Sequence, residues 1–315
     1  MTQDIFKKIL SQSQNSNDIF LLNTNYTYGQ FFKKTSQYST FLEKKFIKNS
    51  ILGICMNYSE KLVSLIFACY LNKIKFTIIN PNASDEEKKY IIENCKLSSV
   101  FFSGNLIKVK NYKNFDQINY SNIKLKKHNN IVNNDICIIY TSGTSGLPKG
   151  VVLTINSLSN NVNSISKNLK LKKNDKGIIF SPPSYAMAIS QILLFMNSKL
   201  PIIFHPSGMR FPLEIFRLIK KYKISILNIS VSAYNVFREF IKKRKLLSVR
   251  LVMSGGMELS YSNLNDYKSN FPNAKFINFY GCTENSPRIS HYKINENKIL
   301  KNKNIFFSVG KPLEG

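Results

Sequence analysis

The sequence predicts an α/β protein of two doubly wound, largely parallel-sheet subdomains. Short apolar runs alternate with helix-periodic stretches between Ile51 and Ser103, and the alternation restarts at Gly177. Strands alternating with helices in this way are the mark of βαβ units. Size agrees, because 315 residues at 43% hydrophobic content can bury a large core. The boundary is expected near residue 180, giving subdomains 1–180 and 181–315.

In the first subdomain, Tyr28–Phe46 has helical spacing, with Phe31, Thr35, Tyr38, Leu42 and Phe46 near one face. Ile51–Met56 is an apolar strand and Glu60–Leu71 a helix. Lys75–Asn80 is the next strand, stopped by Pro81. Ser84 suits an N-cap, followed by Asp85, Glu86 and Glu87, which the helix dipole favours in a first turn. That helix runs to Cys95, and Ser98–Ser103 is a further strand. Asn105–Asn134 is rich in Lys and Asn without a period, the composition of a surface connection. Asp135–Tyr140 is a buried-strand pattern, Val151–Thr154 a short strand, and Leu158, Val162, Ile165 and Leu169 mark one helical face.

The second subdomain predicts strands at Gly177–Ser181, Pro201–Phe204, Ser225–Ile229, Arg250–Met253 and Lys275–Phe279. Helices are expected at Ala186–Met196, Leu213–Tyr222, Ala233–Lys243 and Tyr261–Asn270. No solenoid period occurs.

The formal charge of +27 raises the question of nucleic acid. The lysines are scattered among Asn and Ile rather than gathered in a stripe, which fits solvent-facing decoration and no specific nucleic-acid partner. Such a surface still attracts acidic small molecules or an acidic protein. The cysteines Cys55, Cys69, Cys95, Cys137 and Cys282 show no CxxC spacing, and four lie in apolar runs, as free thiols in a reducing compartment do. His128, His205 and His291 form no metal-ligand pattern. The N-terminus lacks a signal-peptide layout, and no apolar run reaches the ~18 residues of a membrane span. A cytoplasmic protein is expected.

Chemistry concentrates in Tyr140-Thr-Ser-Gly-Thr-Ser-Gly-Leu-Pro-Lys-Gly150, set between two strands. Glycines let backbone approach a ligand, while free N–H groups, hydroxyls and an ammonium make a nest for phosphate oxygens. It is not a Walker A loop, since Lys149 follows Pro148 and precedes Gly150. No GxGxxG fingerprint occurs. A second motif, Asn278-Phe-Tyr-Gly-Cys-Thr-Glu284, ends a predicted strand, and Met253-Ser-Gly-Gly-Met257 ends another. Open α/β sheets bind ligands at such strand ends.

The eleven-residue loop resembles the phosphate loop of the adenylate-forming superfamily, which includes acyl-CoA synthetases, peptide-synthetase adenylation domains and luciferases. The departure from the usual pattern is Ser145 for a Thr. Tyr280–Glu284 resembles that family's Tyr-Gly-x-Thr-Glu motif. Thr27–Phe31, Tyr70–Pro81 and Val309–Gly315 resemble weaker family segments.

The resemblance implies ATP and Mg²⁺ as ligands. It implies Thr141, Ser142, Gly143, Thr144, Ser145, Gly146 and Lys149 around the phosphates, with Thr144 and Lys149 catalytic. Gly255, Gly256, Met257, Asn278, Tyr280 and Gly281 would line the adenine site. Thr283 would bond the α-phosphate and Glu284 would hold the metal, both catalytic. The implied reaction joins a carboxylic acid to AMP, after which CoA or the phosphopantetheine of a carrier protein accepts the acyl group.

The Tyr-x-x-Gly-Asp motif and the small C-terminal domain of the family are absent from these residues. A truncated chain, a split enzyme completed by a separate chain, and a catalytically incomplete nucleotide-binding homologue are the three expectations that follow. Amino-acid-activating relatives place an Asp near the position of Pro183–Ile189, where this sequence has no acidic residue. A neutral acid is therefore expected, with an amino-acid adenylation domain as the alternative. Tyr185, Met187, Asn278 and Cys282 are candidates for the acid pocket.

Overall fold

The computed structural model describes residues 3–45, 51–97, 99–102, 105–108, 134–141, 147–294 and 306–314. The chain opens with α1 (Ile5–Ser13), β1 (Ile19–Leu21), β2 (Tyr26–Thr27) and α2 (Tyr28–Lys45). Next come β3 (Ile51–Cys55), α3 (Glu60–Leu71), β4 (Lys75–Ile78), α4 (Asp85–Asn94), β5 (Ser99–Phe102) and β6 (Asn105–Lys108). β7 (Asp135–Thr141), β8 (Lys149–Thr154), α5 (Ile155–Leu169), β9 (Gly177–Ile179), α6 (Ala186–Asn197) and β10 (Ile202–Phe204) follow. The remainder is α7 (Pro212–Tyr222), β11 (Ile226–Asn228), α8 (Val231–Ile241), β12 (Leu251–Gly255), α9 (Tyr261–Asn270), β13 (Lys275–Tyr280), β14 (Ser290–Lys293) and β15 (Lys311–Pro312).

The chain forms two compact units. One comprises Met1–Asp18, Tyr26–Ser159 and Pro182–Ile189; the other comprises Ile19–Asn25, Asn160–Ser181 and Ser190–Gly315.

The first unit holds a sheet in the order β6-β5-β3-β4-β7-β8. Its inner pairs are parallel, and β6 and β8 pair antiparallel at the edges. β4 is buried along its whole length, as a parallel strand covered on both faces must be. Lys75 escapes the cost of that burial because its Nζ lies 2.8 Å from Asp135 Oδ2 at the start of the neighbouring β7. α4 begins as its sequence predicts, with the Ser84 hydroxyl accepting from the Glu87 N–H at 3.2 Å. α1 was not foreseen. It is capped by Asp4, which accepts from the N–H groups of Phe6 and Lys7, and it buries Ile5, Phe6, Ile9 and Leu10. β6 takes the first four residues of the segment expected as a connection; 109–133 lie outside the described residues.

The second unit holds a sheet running β15-β14-β13-β12-β11-β9-β10-β1. It is parallel from β13 to β1, and β14 and β15 pair antiparallel. Ile178, Ile203, Leu227 and Val252 from its strands pack with Ile215, Ile219, Phe237 and Leu264 from its helices. The predicted strands and helices of this unit all appear, with ends moved by a residue or two. β14 escaped prediction because Ser-His-Tyr-Lys carries no apolar alternation. The α/β class and the largely parallel sheets match the sequence expectation. Among the described residues no helix is long and apolar enough to cross a membrane.

Candidate functional site

In the first unit, β7 delivers the chain to the phosphate-loop sequence and β8 takes it away. The two strands pair antiparallel with Tyr140 opposite Gly150 and Thr141 opposite Lys149. Thr141 is half-buried and Lys149 exposed. Ser142, Gly143, Thr144, Ser145 and Gly146 lie outside the described residues. The mouth is anchored by Tyr140, whose hydroxyl donates to Asn94 Oδ1 at 2.6 Å and contacts Cys95 Sγ at 3.1 Å. Its ring meets Tyr90 edge-on. Burial, with the neighbouring Cys95, pushes this phenol up, so it stays a neutral donor. Gly150 gives the ring room: a Cβ there would lie 3.2 Å from Tyr140 Cζ. Tyr185, exposed, and Met187, half-buried, also belong to this unit.

In the second unit two turns sit side by side at the C-terminal ends of β12 and β13. These strands are parallel neighbours with Gly255 opposite Phe279. A Cβ at Gly255 would lie 2.5 Å from the Phe279 carbonyl oxygen, and Gly256 has φ +84°. Met257 follows, exposed. After β13 the chain turns even more tightly. A Cβ at Gly281 would lie 1.8 Å from the Pro287 carbonyl oxygen, so this position accepts only glycine. Thr283–Asn285 forms a single 3₁₀ turn, and the Ile289 N–H closes the loop onto the Tyr280 carbonyl at 2.8 Å.

The structure thus sets Gly255, Gly256 and Met257 at the end of β12, and Tyr280, Gly281, Thr283 and Glu284 at or just past the end of its neighbour β13. Tyr280 is half exposed at the strand end, and Cys282 and Glu284 are exposed. Asn278 is buried, and its side-chain amide donates to the Ser308 carbonyl at 3.0 Å. That bond ties it to the chain's last segment.

Glu284 makes no ion pair among the described residues. No group of three or more His, Cys, Asp or Glu able to hold a metal occurs among them. An exposed carboxylate with no ion pair among the described residues is the kind of oxygen donor that a magnesium ion takes from protein, one or two to a site.

Arg288, at the far end of the same turn, drew no attention in the sequence. It is 2% exposed. Its Nη1 donates to Ser190 Oγ at 2.8 Å, and its Cζ lies 5.4 Å from the centre of the Phe279 ring. One signal was available: the chain has six arginines against thirty-nine lysines. In a chain that decorates its surface with lysine, an arginine points to a placed group.

The sequence profile described as "AMP-binding enzyme" matches residues 11–315. The chain is 24% identical over 293 residues to surfactin synthase subunit 2 of Bacillus subtilis (strain 168), covering 89% of this chain and 8% of that protein. It is 22% identical over 252 residues to 2-succinylbenzoate–CoA ligase of Bacillus pumilus (strain SAFR-032), covering 77% of this chain and 50% of that one. The chain thus spans half or less of these relatives. Its fold matches the N-terminal subdomain of Klebsiella oxytoca NpsA, solved in complex with 3-hydroxybenzoyl-AMSN. The TM-score is 0.78 at 18% identity, covering 98% of this chain and 79% of that one.

Proposed function

The chain belongs to the AMP-binding enzyme family, and from that premise we propose that it activates a carboxylic acid with ATP. An oxygen of the acid's carboxylate attacks the α-phosphorus, and the bond to the β-phosphate oxygen breaks. The products are an acyl-adenylate and pyrophosphate. A thiol, on CoA or on carrier-protein phosphopantetheine, then attacks the acyl carbonyl and AMP leaves. The observation that carries this reading is the pair of glycine-dependent turns at the ends of adjacent parallel strands, Gly255–Gly256 and Gly281. Backbone can approach a flat nucleotide closely there.

In this reading the exposed face of Tyr280 stacks on adenine and Gly255–Met257 lines the base. Thr283 donates its hydroxyl to the α-phosphate. Thr144, Ser145 and Lys149 hold the β- and γ-phosphates as they depart. Such catalysis is mostly positioning and charge neutralisation. Glu284 and the phosphates would hold a magnesium ion, which when bound neutralises charge on the phosphate oxygens.

Acid-dependent ATP–pyrophosphate exchange tests the proposal, with the chain alone and fused to a relative's C-terminal domain. Exchange is expected with at least one acid of a broad panel. Lys149→Ala and Glu284→Ala are each expected to lower it by roughly a hundredfold or more. Exchange unaltered in both variants would sink the site assignment. ATP binding with no exchange, even when fused, would instead favour a nucleotide-binding protein without catalysis.

A further inference from the structure

Arg288 has no part in the reaction just described, yet its environment is unusual for a guanidinium. Apart from Nη1 bonded to Ser190, its polar atoms Nε and Nη2 are buried without a hydrogen-bond partner. The chain treats two other arginines differently: Arg250 pairs with Asp175 and Arg238 with Asp266. Among the described residues Arg288 pairs with no carboxylate and lies over the face of Phe279, which supplies partial compensation for a desolvated cation. Lost hydration brings its pKa down to about 10, so it remains charged at neutral pH. Further unsatisfied atoms lie on the same segment or are bonded to it. Ser286 Oγ and Asn161 Oδ1 are buried without partners, and Asn161 Nδ2 donates to the Arg288 carbonyl at 2.6 Å.

The unpaired atoms define the ligand. Nε and Nη2 form the side edge of the guanidinium, two coplanar donors whose separation matches the two oxygens of a carboxylate. In the reading above, the nucleotide stacks on Tyr280. Arg288 packs on Phe279, and Phe279 and Tyr280 are successive strand residues, so their side chains leave opposite faces of the sheet.

We propose that Arg288 determines specificity by gripping, through its Nε–Nη2 edge, a second carboxylate on the acid that the chain activates. The substrate class is then a dicarboxylic acid, not the neutral acid expected from Pro183–Ile189, a stretch that does not include Arg288. The proposal rests on the acid-activating reading given above.

Direct binding tests it without requiring turnover. Calorimetry on the purified chain would compare matched pairs, hexanoate with adipate, octanoate with suberate and benzoate with isophthalate. ATP and inorganic phosphate are titrated separately. At least one dicarboxylate is expected to bind roughly tenfold or more tightly than its partner. Arg288→Met should erase that preference and leave ATP affinity unchanged. Arg288→Lys, which keeps the charge but not the fork, should weaken it. Without ligand, Arg288→Met should melt no lower than the wild type, because it removes an unpaired buried charge.

No preference in any pair, or a preference that survives Arg288→Met, would overturn the proposal. So would ATP or inorganic phosphate losing affinity in the variant while the acids do not. A lower melting temperature with unchanged acid binding would make Arg288 structural. If Arg288→Met fails to fold, Arg288→Lys decides, by losing or keeping the preference. A wild type that binds dicarboxylates through Arg288 but never binds ATP would sink the adenylating reading and leave this site standing.

Discussion

At Gly281 a methyl group would lie 1.8 Å from the Pro287 carbonyl oxygen, and no side-chain rotation relieves a clash with backbone. Gly281→Ala must open the turn and displace Thr283 and Glu284 with it. A cost of about 1–3 kcal/mol is expected in a urea melt, the range for overpacking. ATP affinity should fall alongside. An unchanged midpoint would mean that the turn is not held as described. Gly256 is the useful contrast, because its φ of +84° is strained for other residues while its nearest neighbour, Ser230 Cβ, is 3.9 Å away. Gly256→Ala should therefore cost less, about 1 kcal/mol. The need for glycine was legible in Tyr280-Gly-Cys-Thr-Glu284. The atom that imposes it was not, because Pro287 is brought there by the return into β14, a polar strand with no pattern of its own. Arg288 was missed for a related reason, since counting charge treats every basic residue as solvated.

At the scale of elements, the N-terminal ends of β9, β11 and β12 are tied to one carboxylate. Asp175 Oδ1 accepts from Arg250 Nε at 2.6 Å and from Ser225 Oγ at 2.8 Å. Its Oδ2 accepts from the Lys172 N–H at 2.6 Å and pairs with Arg250 Nη2. Burial alone would push this carboxyl up. The hydrogen bonds from Arg250, Lys172 and Ser225 outweigh it and hold the group below the usual carboxylate range. A lowered folded-state pKa stabilises above the unfolded value of about 3.9 and stops doing so as pH falls through the folded value. Asp175→Asn should therefore cost about 3 kcal/mol at pH 7, as loss of one partner in a buried pair does. The gap between variant and wild type should narrow below about pH 4 in melts taken across pH. A gap of constant size from pH 7 to pH 3 would show that ionised Asp175 is not the anchor. The strands that Asp175 ties were visible in the sequence, since buried parallel strands are continuous apolar runs. The tie itself was not, because its partners stand 50 and 75 residues away.

For the molecule as a whole, the repeated strand–helix alternation made the α/β class and its parallel sheets readable. The interleaving of the two units was not readable, because Ile19–Asn25 and Pro182–Ile189 join their units through packing that no local period encodes. Net charge is the other property of this scale, and +27 is large enough to act at a distance. Few acids are available to compensate it, and the ion pairs of the first unit include surface contacts such as Lys89 with Glu93. Polyanions should therefore bind through many weak contacts that release counterions, an effect that fades steeply with salt. Retention on heparin is expected at low ionic strength and lost by roughly 0.5 M salt. Lys149→Ala should leave that retention almost unchanged, since it removes one lysine of thirty-nine. The same variant should weaken ATP binding measured at 0.5 M salt, where diffuse attraction is screened and placed contacts persist. If Lys149→Ala abolished heparin retention, or one nucleic-acid sequence stayed bound at high salt, the basic surplus would be a built polyanion site rather than a general field.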